Sequence, residues 1–257
     1  MKKFFVITIL LFVATFAKAD CLGYSTKCVW PIGKLISTNS IIIINTGDSS
    51  FGNNIGSKYK MYLQSTKTKN KILLSVIEIC NGGLNLMQIV LKPSSALLED
   101  EEYELIEIYN SKKITKATRW DLKWKVSNKN STSLVWKNQP TLINKIYYAY
   151  GCGPEAKVVF SSENAEAPTQ MVKTSIKNKQ TGIETTCYIR SDYGIVILGH
   201  NMCWGEFQFA KEGKNDNDEY DVRFSLIDES GNTSIQSNVI SFIQPNISKN
   251  IETQISE

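Results

Sequence analysis

The sequence predicts an all-β protein: two sandwich modules in tandem behind a cleaved export signal. Three observations predict it. Runs of four to eight residues rich in Ile, Val, Tyr and Phe recur between polar stretches bearing Gly or Asn, the pattern of short strands punctuated by turns. Two of the runs alternate strictly, with Trp120, Leu122, Trp124 and Val126 against Asp121, Lys123 and Lys125, and Tyr220, Val222, Phe224 and Leu226 against Asp221, Arg223 and Ser225. Successive side chains of a strand point to opposite faces, so each run reads as one buried and one wet face of an antiparallel sheet. The third observation is the N-terminus, which is built as a targeting segment.

Lys2 and Lys3 open that segment, an apolar run follows over 4–16, and Ala17-Lys18-Ala19 closes it before Asp20. An apolar run of about 13 residues falls short of the roughly 20 that span a bilayer, and small residues flank a cut after Ala19. Residues 1–19 are therefore expected to be a signal peptide. Cys21 invites a lipoprotein reading, but Asp20 stands where a lipobox carries Gly, Ala or Ser. No later uncharged stretch reaches membrane-spanning length. The mature chain is expected to be exported, to the periplasm or the cell exterior, without a transmembrane segment.

Loss of Lys2, Lys3 and Lys18 reduces the 29 basic residues to 26 against 25 acidic ones. Such a balance supplies no basic stripe for a phosphate backbone, and no nucleic-acid-binding motif is present, so nucleic acid is not expected as a partner.

Along the first half, strands are expected over 41–45, 59–63, 72–80, 86–91, 103–109 and 120–126. Turns such as Lys67-Thr68-Lys69-Asn70 and Asn81-Gly82-Gly83 separate them. The second half is expected to form strands over 157–161, 171–176, 185–190, 195–198, 206–209, 220–227 and 235–243. About seven strands per half, with a turn every eight to twelve residues, suits a sandwich. The polar stretch from Ser127 to Thr132 and the strand-breaking Pro140 mark a joint. The domains are thus 20–127 and 141–245, with 128–140 as linker and 246–257 as a loose tail.

Particular motifs carry a resemblance. Trp30-Pro31-Ile32-Gly33 before the 41–44 strand, then Leu91-Lys92-Pro93, Leu97-Leu98 and Tyr103-Glu104-Leu105, resemble the strands and proline-bearing turns of bacterial immunoglobulin-like modules. Asp228-Glu229-Ser230-Gly231-Asn232 is similar to a turn common in bacterial immunoglobulin-like and fibronectin type III-like repeats. In it Gly231 can take positive φ and Asp228 can bond the backbone two residues on. The resemblance implies two immunoglobulin-like sandwiches, with Tyr103 packed at a corner. It covers about a quarter of the chain and implies architecture alone, since such folds host unrelated functions.

All six cysteines, Cys21, Cys28, Cys80, Cys152, Cys187 and Cys203, lie in the mature part. Export makes each a disulfide candidate, and six allow 15 connectivities that spacing cannot distinguish. If the immunoglobulin-like topology holds, Cys152 to Cys203 would tie an early strand to a late one. Three cysteines per half leave either a bridge across the joint or a free thiol in each half. No pair has the two- to four-residue gap of a structural zinc site, and His200 is the only histidine.

The densest unusual cluster is Gly199-His200-Asn201-Met202-Cys203-Trp204-Gly205. A Cys203 nucleophile with His200 as base would make a thiol enzyme or hydrolase, but residues three apart on a strand end tend toward opposite faces. The run 214–219 is acidic without an EF-hand's ligand order, so calcium is not expected. The carboxylates at 99–102 form a local run at a turn rather than a pair facing a cleft. No pattern names a cofactor. Trp136, near the joint, and Trp204, beside a glycine, are the aromatics expected to be exposed, and would serve a carbohydrate-binding protein. The leading expectation is a non-catalytic binding or structural module, with a surface protein or polysaccharide as partner.

Overall fold

The computed structural model describes residues 28–111, 115–127, 134–150, 153–161, 169–209 and 217–246. The expected signal peptide, Cys21, Cys152 and the tail from 247 onward lie outside them. The described chain is all-β, with two sheets and one short helix.

The first sheet contains β1 (Cys28–Trp30), β2 (Leu35–Ile36), β3 (Ile42–Thr46), β4 (Tyr59–Ser65), β5 (Lys71–Asn81), β6 (Met87–Pro93), β7 (Glu102–Asn110) and β8 (Thr115–Val126). Their order is β1-β3-β6-β5-β4-β7-β8-β2. Antiparallel β1 and parallel β2 are therefore the two margins of one sheet, and only the four residues 31–34 separate them in the chain. Joining both margins through so short a connection curls the sheet until it nearly closes. The Trp30–Pro31 bond at that connection is cis. Helix α1 (Ser49–Asn54) follows β3, where the Asp48 carboxylate caps it by accepting the Phe51 N–H at 3.0 Å. Phe51 then closes one end of the core formed by Ile36, Ile42, Ile44, Leu63, Ile89, Leu105, Trp124 and their neighbours.

The second sheet contains β9 (Thr141–Tyr150), β10 (Gly153–Ser161), β11 (Thr169–Asn178), β12 (Glu184–Asp192), β13 (Ile195–His200), β14 (Glu219–Ile227) and β15 (Ile240–Ile243). Their order is β9-β10-β13-β12-β11-β14-β15. Setting β2 aside and counting along the chain, both sheets share the order one, two, five, four, three, six, seven. Phe160, Phe224, Phe242 and Tyr220 fill the second core with edge-to-face and stacked rings.

Several expectations change. Glu206 to Phe209 form no strand, and of 235–243 only the last four residues do. β1, β2, α1 and β9 were not foreseen. Leu134 and Trp136, from the stretch read as linker, pack on the second core. Two features behave as their residues suggest. Tyr103 is buried, with its hydroxyl accepting the Leu98 N–H at 3.2 Å. Gly231 takes φ +82°, and the Asp228 carboxylate accepts the Asn232 N–H, four residues on rather than two.

Candidate functional site

The two sheets meet along a seam with its own apolar cluster. Trp30, Ile41, Ile43, Cys80 and Val90 from the first sheet pack against Met171, Tyr188 and Ile227 from the second. The alternation of strands makes this possible: in β12, Cys187 and Ile189 turn into the second core, and Tyr188 between them turns outward to the partner sheet.

Polar groups set the register of that contact. The Gln88 amide spans the Tyr188 backbone, donating to its carbonyl at 2.6 Å while accepting its N–H at 2.7 Å. Both atoms of the amide are thereby used on a partner 100 residues away in sequence. The Glu78 carboxylate accepts the Tyr188 hydroxyl at 2.5 Å and the Lys173 ammonium at 3.1 Å, and Lys173 stands over the Tyr188 ring. Burial raises the Glu78 pKa, but these hydrogen bonds and the Lys173 charge outweigh it and hold the group below its usual value. The Cys80 thiol beside it is pushed up to about 12, first by burial and then by the Glu78 charge. It is an inert thiol rather than a nucleophile.

At one end of the seam the turn after β14 docks on the first sheet. Ile41 donates its N–H to the Glu229 carbonyl at 2.7 Å, and the Ser37 and Ser230 hydroxyls meet at 2.5 Å. Farther along, the loop after β13 crosses to the β5–β6 hairpin, where Gly83 donates to the Gly205 carbonyl at 2.9 Å. A Cβ on Gly83 would stand 2.7 Å from Gln208 Cβ, and one on Gly205 would stand 2.3 Å from the Gly199 carbonyl oxygen. The backbones approach too closely there for any side chain.

That loop holds the His200–Cys203 pair. Asn201 organises it, its side-chain oxygen accepting the N–H groups of Cys203 and Trp204 at 2.8 and 2.9 Å. His200 is buried, with Nδ1 3.0 Å from the Asn201 carbonyl oxygen, and burial lowers its pKa. Cys203 is disulfide-bonded. A bonded sulfur offers no thiolate, so the Cys203–His200 dyad is not assembled. Gly153, next in the chain to Cys152, lies against this loop: a Cβ there would stand 3.6 Å from the Met202 carbonyl oxygen.

Three disulfide candidates are corrected. Cys28, Cys80 and Cys187 carry free thiols, the first exposed and the others buried. Cys80 lies in the seam while Cys187 faces the second core on the far side of β12, so the sheet itself stands between them. Trp136 is also corrected: it is only 9% exposed and donates its indole N–H to the Ile235 carbonyl at 3.0 Å. Trp204 is 37% exposed.

Surface features that the sequence reading missed lie on β9. Tyr148 and Tyr150 are 55% and 45% exposed, on the face opposite the buried Tyr147. Their ring centroids are 6.1 Å apart and tilted by 43°. The signal was present as alternation in Ile146-Tyr147-Tyr148-Ala149-Tyr150, obscured by aromatic residues on both faces. Elsewhere a recess is lined by Ser175, Lys177, Glu184, Asp221 and Arg223, whose two cations and two anions balance. Among the described residues, no group of three or more His, Cys, Asp or Glu is placed to hold a metal, and no helix is long and apolar enough to cross a membrane.

No family model matches this chain, and no curated protein matches it.

Proposed function

We propose that the chain is an exported, non-catalytic binding or structural protein, made of two immunoglobulin-like modules locked into one scaffold. The observation that carries this reading is the seam. An apolar cluster, the Gln88–Tyr188 bracket and the Gly83–Gly205 approach join the sheets at separate points along their length. Coupling of that extent suits a rigid presenter of surfaces.

Strand order supports the immunoglobulin-like part. Labelled A to G along the chain, the order β1-β3-β6-β5 with β4-β7-β8 is the ABED and CFG division of the constant-type fold. The second sheet repeats the order but pairs its fourth strand mainly with the third, in the manner of fibronectin type III-like modules. The disulfide at Cys203 supports maturation in an oxidising compartment, as does the Lys2-to-Ala19 segment.

The test is retention of the purified mature protein on envelope fractions of its source across a range of salt. Saturable retention is the expected result, and none at any salt would overturn the binding reading. A carbohydrate ligand is the second reading, favoured by the partial exposure of Trp204. Quenching of tryptophan emission by polysaccharide, lost in Trp204→Ala, would select it.

A further inference from the structure

We propose that the recess on the outer face of the second sheet, at Lys177 and Arg223, is a binding site for a small zwitterion, an α-amino acid of the size of glycine. This goes beyond the binding reading above, which concerns a surface partner and does not depend on it.

Strand alternation assembles the site. Ile176 and Val222 turn into the second core, so Ser175 and Lys177 of β11 and Asp221 and Arg223 of β14 share the opposite face. Glu184 of β12 stands across from Lys177, which puts Glu184, Lys177 and Asp221 in one row over three strands. Ser175 and Arg223 are partners in the next row. Opposite charges placed across strands ordinarily attract. Just beyond the recess, Lys179 and Glu219 do close an ion pair, at 2.6 Å.

Inside the recess the charges do not pair with one another. The Glu184 carboxylate accepts the Ser175 hydroxyl at 2.5 Å, and the Asp221 carboxylate accepts the Ser241 hydroxyl at 2.6 Å. Among the described residues, neither the Lys177 ammonium nor the Arg223 guanidinium makes an ion pair or a hydrogen bond, and both side chains are exposed. A carboxylate offers about four lone-pair sites, so one hydroxyl leaves each of the two acids with acceptor capacity. The recess thus presents two unused cations and two partly used anions, with no net charge.

Charge and size select the ligand. A plain dianion would meet both cations but also two carboxylates that repel it, and a plain cation would meet the reverse. A zwitterion satisfies both signs: its carboxylate faces the Arg223 fork and the Lys177 ammonium, and its own ammonium donates to Glu184 and Asp221. The volume of the recess is about 140 Å³, well below the roughly 300–1,000 Å³ of sites that take drug-sized ligands. An oligosaccharide is therefore a poor fit. All five lining side chains are polar, so nothing there would hold an apolar side chain, and the smallest amino acid suits it best.

The experiment titrates glycine into the isotope-labelled full mature chain and follows backbone amide shifts by NMR. Acetate and methylammonium, each carrying one half of glycine, are the controls, and inorganic sulfate tests for a plain anion site. Saturable shifts confined to 175–177, 184 and 221–223 are expected with glycine, the three control ions binding at least about tenfold more weakly. Arg223→Gln and Lys177→Gln should each weaken glycine binding by at least about tenfold, while Lys179→Gln, just outside the recess, should leave it unchanged. All three substitutions replace exposed side chains, and an unchanged melting temperature checks that the fold is kept. No saturable shift with glycine, or binding indifferent to both Arg223→Gln and Lys177→Gln, would overturn the site. Acetate or sulfate binding as tightly as glycine would make it an anion site and overturn the zwitterion. The titration contains no envelope material, so its failure and a failure of envelope retention are separate results.

Discussion

The fourth strand takes opposite sides in the two sheets. In the first, β5 pairs with β6 along most of its length and with β4 only from Lys71 to Leu74. In the second, β12 pairs with β11 at nine positions and touches β13 only at Asp192↔Ile195. Chain order is the same in both, so the partition is decided by packing. β5 parts from β4 where the turn after α1 intrudes, a Cβ at Gly56 standing 3.6 Å from Val76. The strand so released continues to Glu78 and Cys80, which meet Lys173 and Tyr188 of the other sheet. β5 thus serves its own sheet and the seam at once.

If that seam makes one cooperative body, damage to either core should be felt in both. Trp124 is buried in the first core and donates to the Pro31 carbonyl at 3.0 Å, and Phe224 is buried in the second. Trp124→Ala and Phe224→Ala should each cost about 3–5 kcal/mol. In calorimetry each should lower a single transition; a shift of one half-transition with the other unmoved would break the coupling.

Gly83→Val should have the next largest effect. Its side chain would strike Gln208, whose Cβ lies 2.7 Å from the position of the added Cβ, and such overpacking costs about 1–3 kcal/mol. Because the clash falls at the contact between the two sheets, the expected signature is a melt resolved into two transitions.

Glu78→Gln is milder and depends on pH. The folded state holds the Glu78 carboxyl below its ordinary value, so its contribution is present at neutral pH and fades as pH falls below about 4.3 through the folded value. The Glu78–Lys173 pair is partly exposed to solvent, so the difference at pH 7 should be about 1 kcal/mol. That difference should narrow as pH falls through the folded value. A gap constant with pH would mean that the ion pair does not support the seam. Burial raises the carboxyls of Glu206 and Glu229, which favour the folded state in the opposite direction on acidification, so only the difference between variant and parent isolates Glu78.

The smallest perturbation is thiol labelling. A water-soluble maleimide should modify Cys28 at once, and Cys80 and Cys187 only on unfolding. Their rates compare the two regions directly: Cys80 reports opening of the seam, and Cys187 opening of the second core. Equal rates would confirm a single opening event.

Where one face of a strand is buried and the other wet, the residues declare it, and β8 and β14 were legible for that reason. β9 was not, because Tyr147 fills the core while Tyr148 and Tyr150 lie outside, and aromatics on both faces erase the alternation. β1 and β2 were too short to show a period at all. The stretch 206–209 has the composition of a strand, yet Phe207 and Phe209 serve the second core from a loop.

The His200–Cys203 cluster was legible as composition and not as a role. Sequence alone determined the all-β class and the approximate number of strands, because these follow from local pattern. Tertiary structure decided which cysteines stay as thiols, which tryptophan is buried and which side the fourth strands take. Each of these depends on contacts between residues far apart in the chain, and nothing in the local alternation of side chains encodes them.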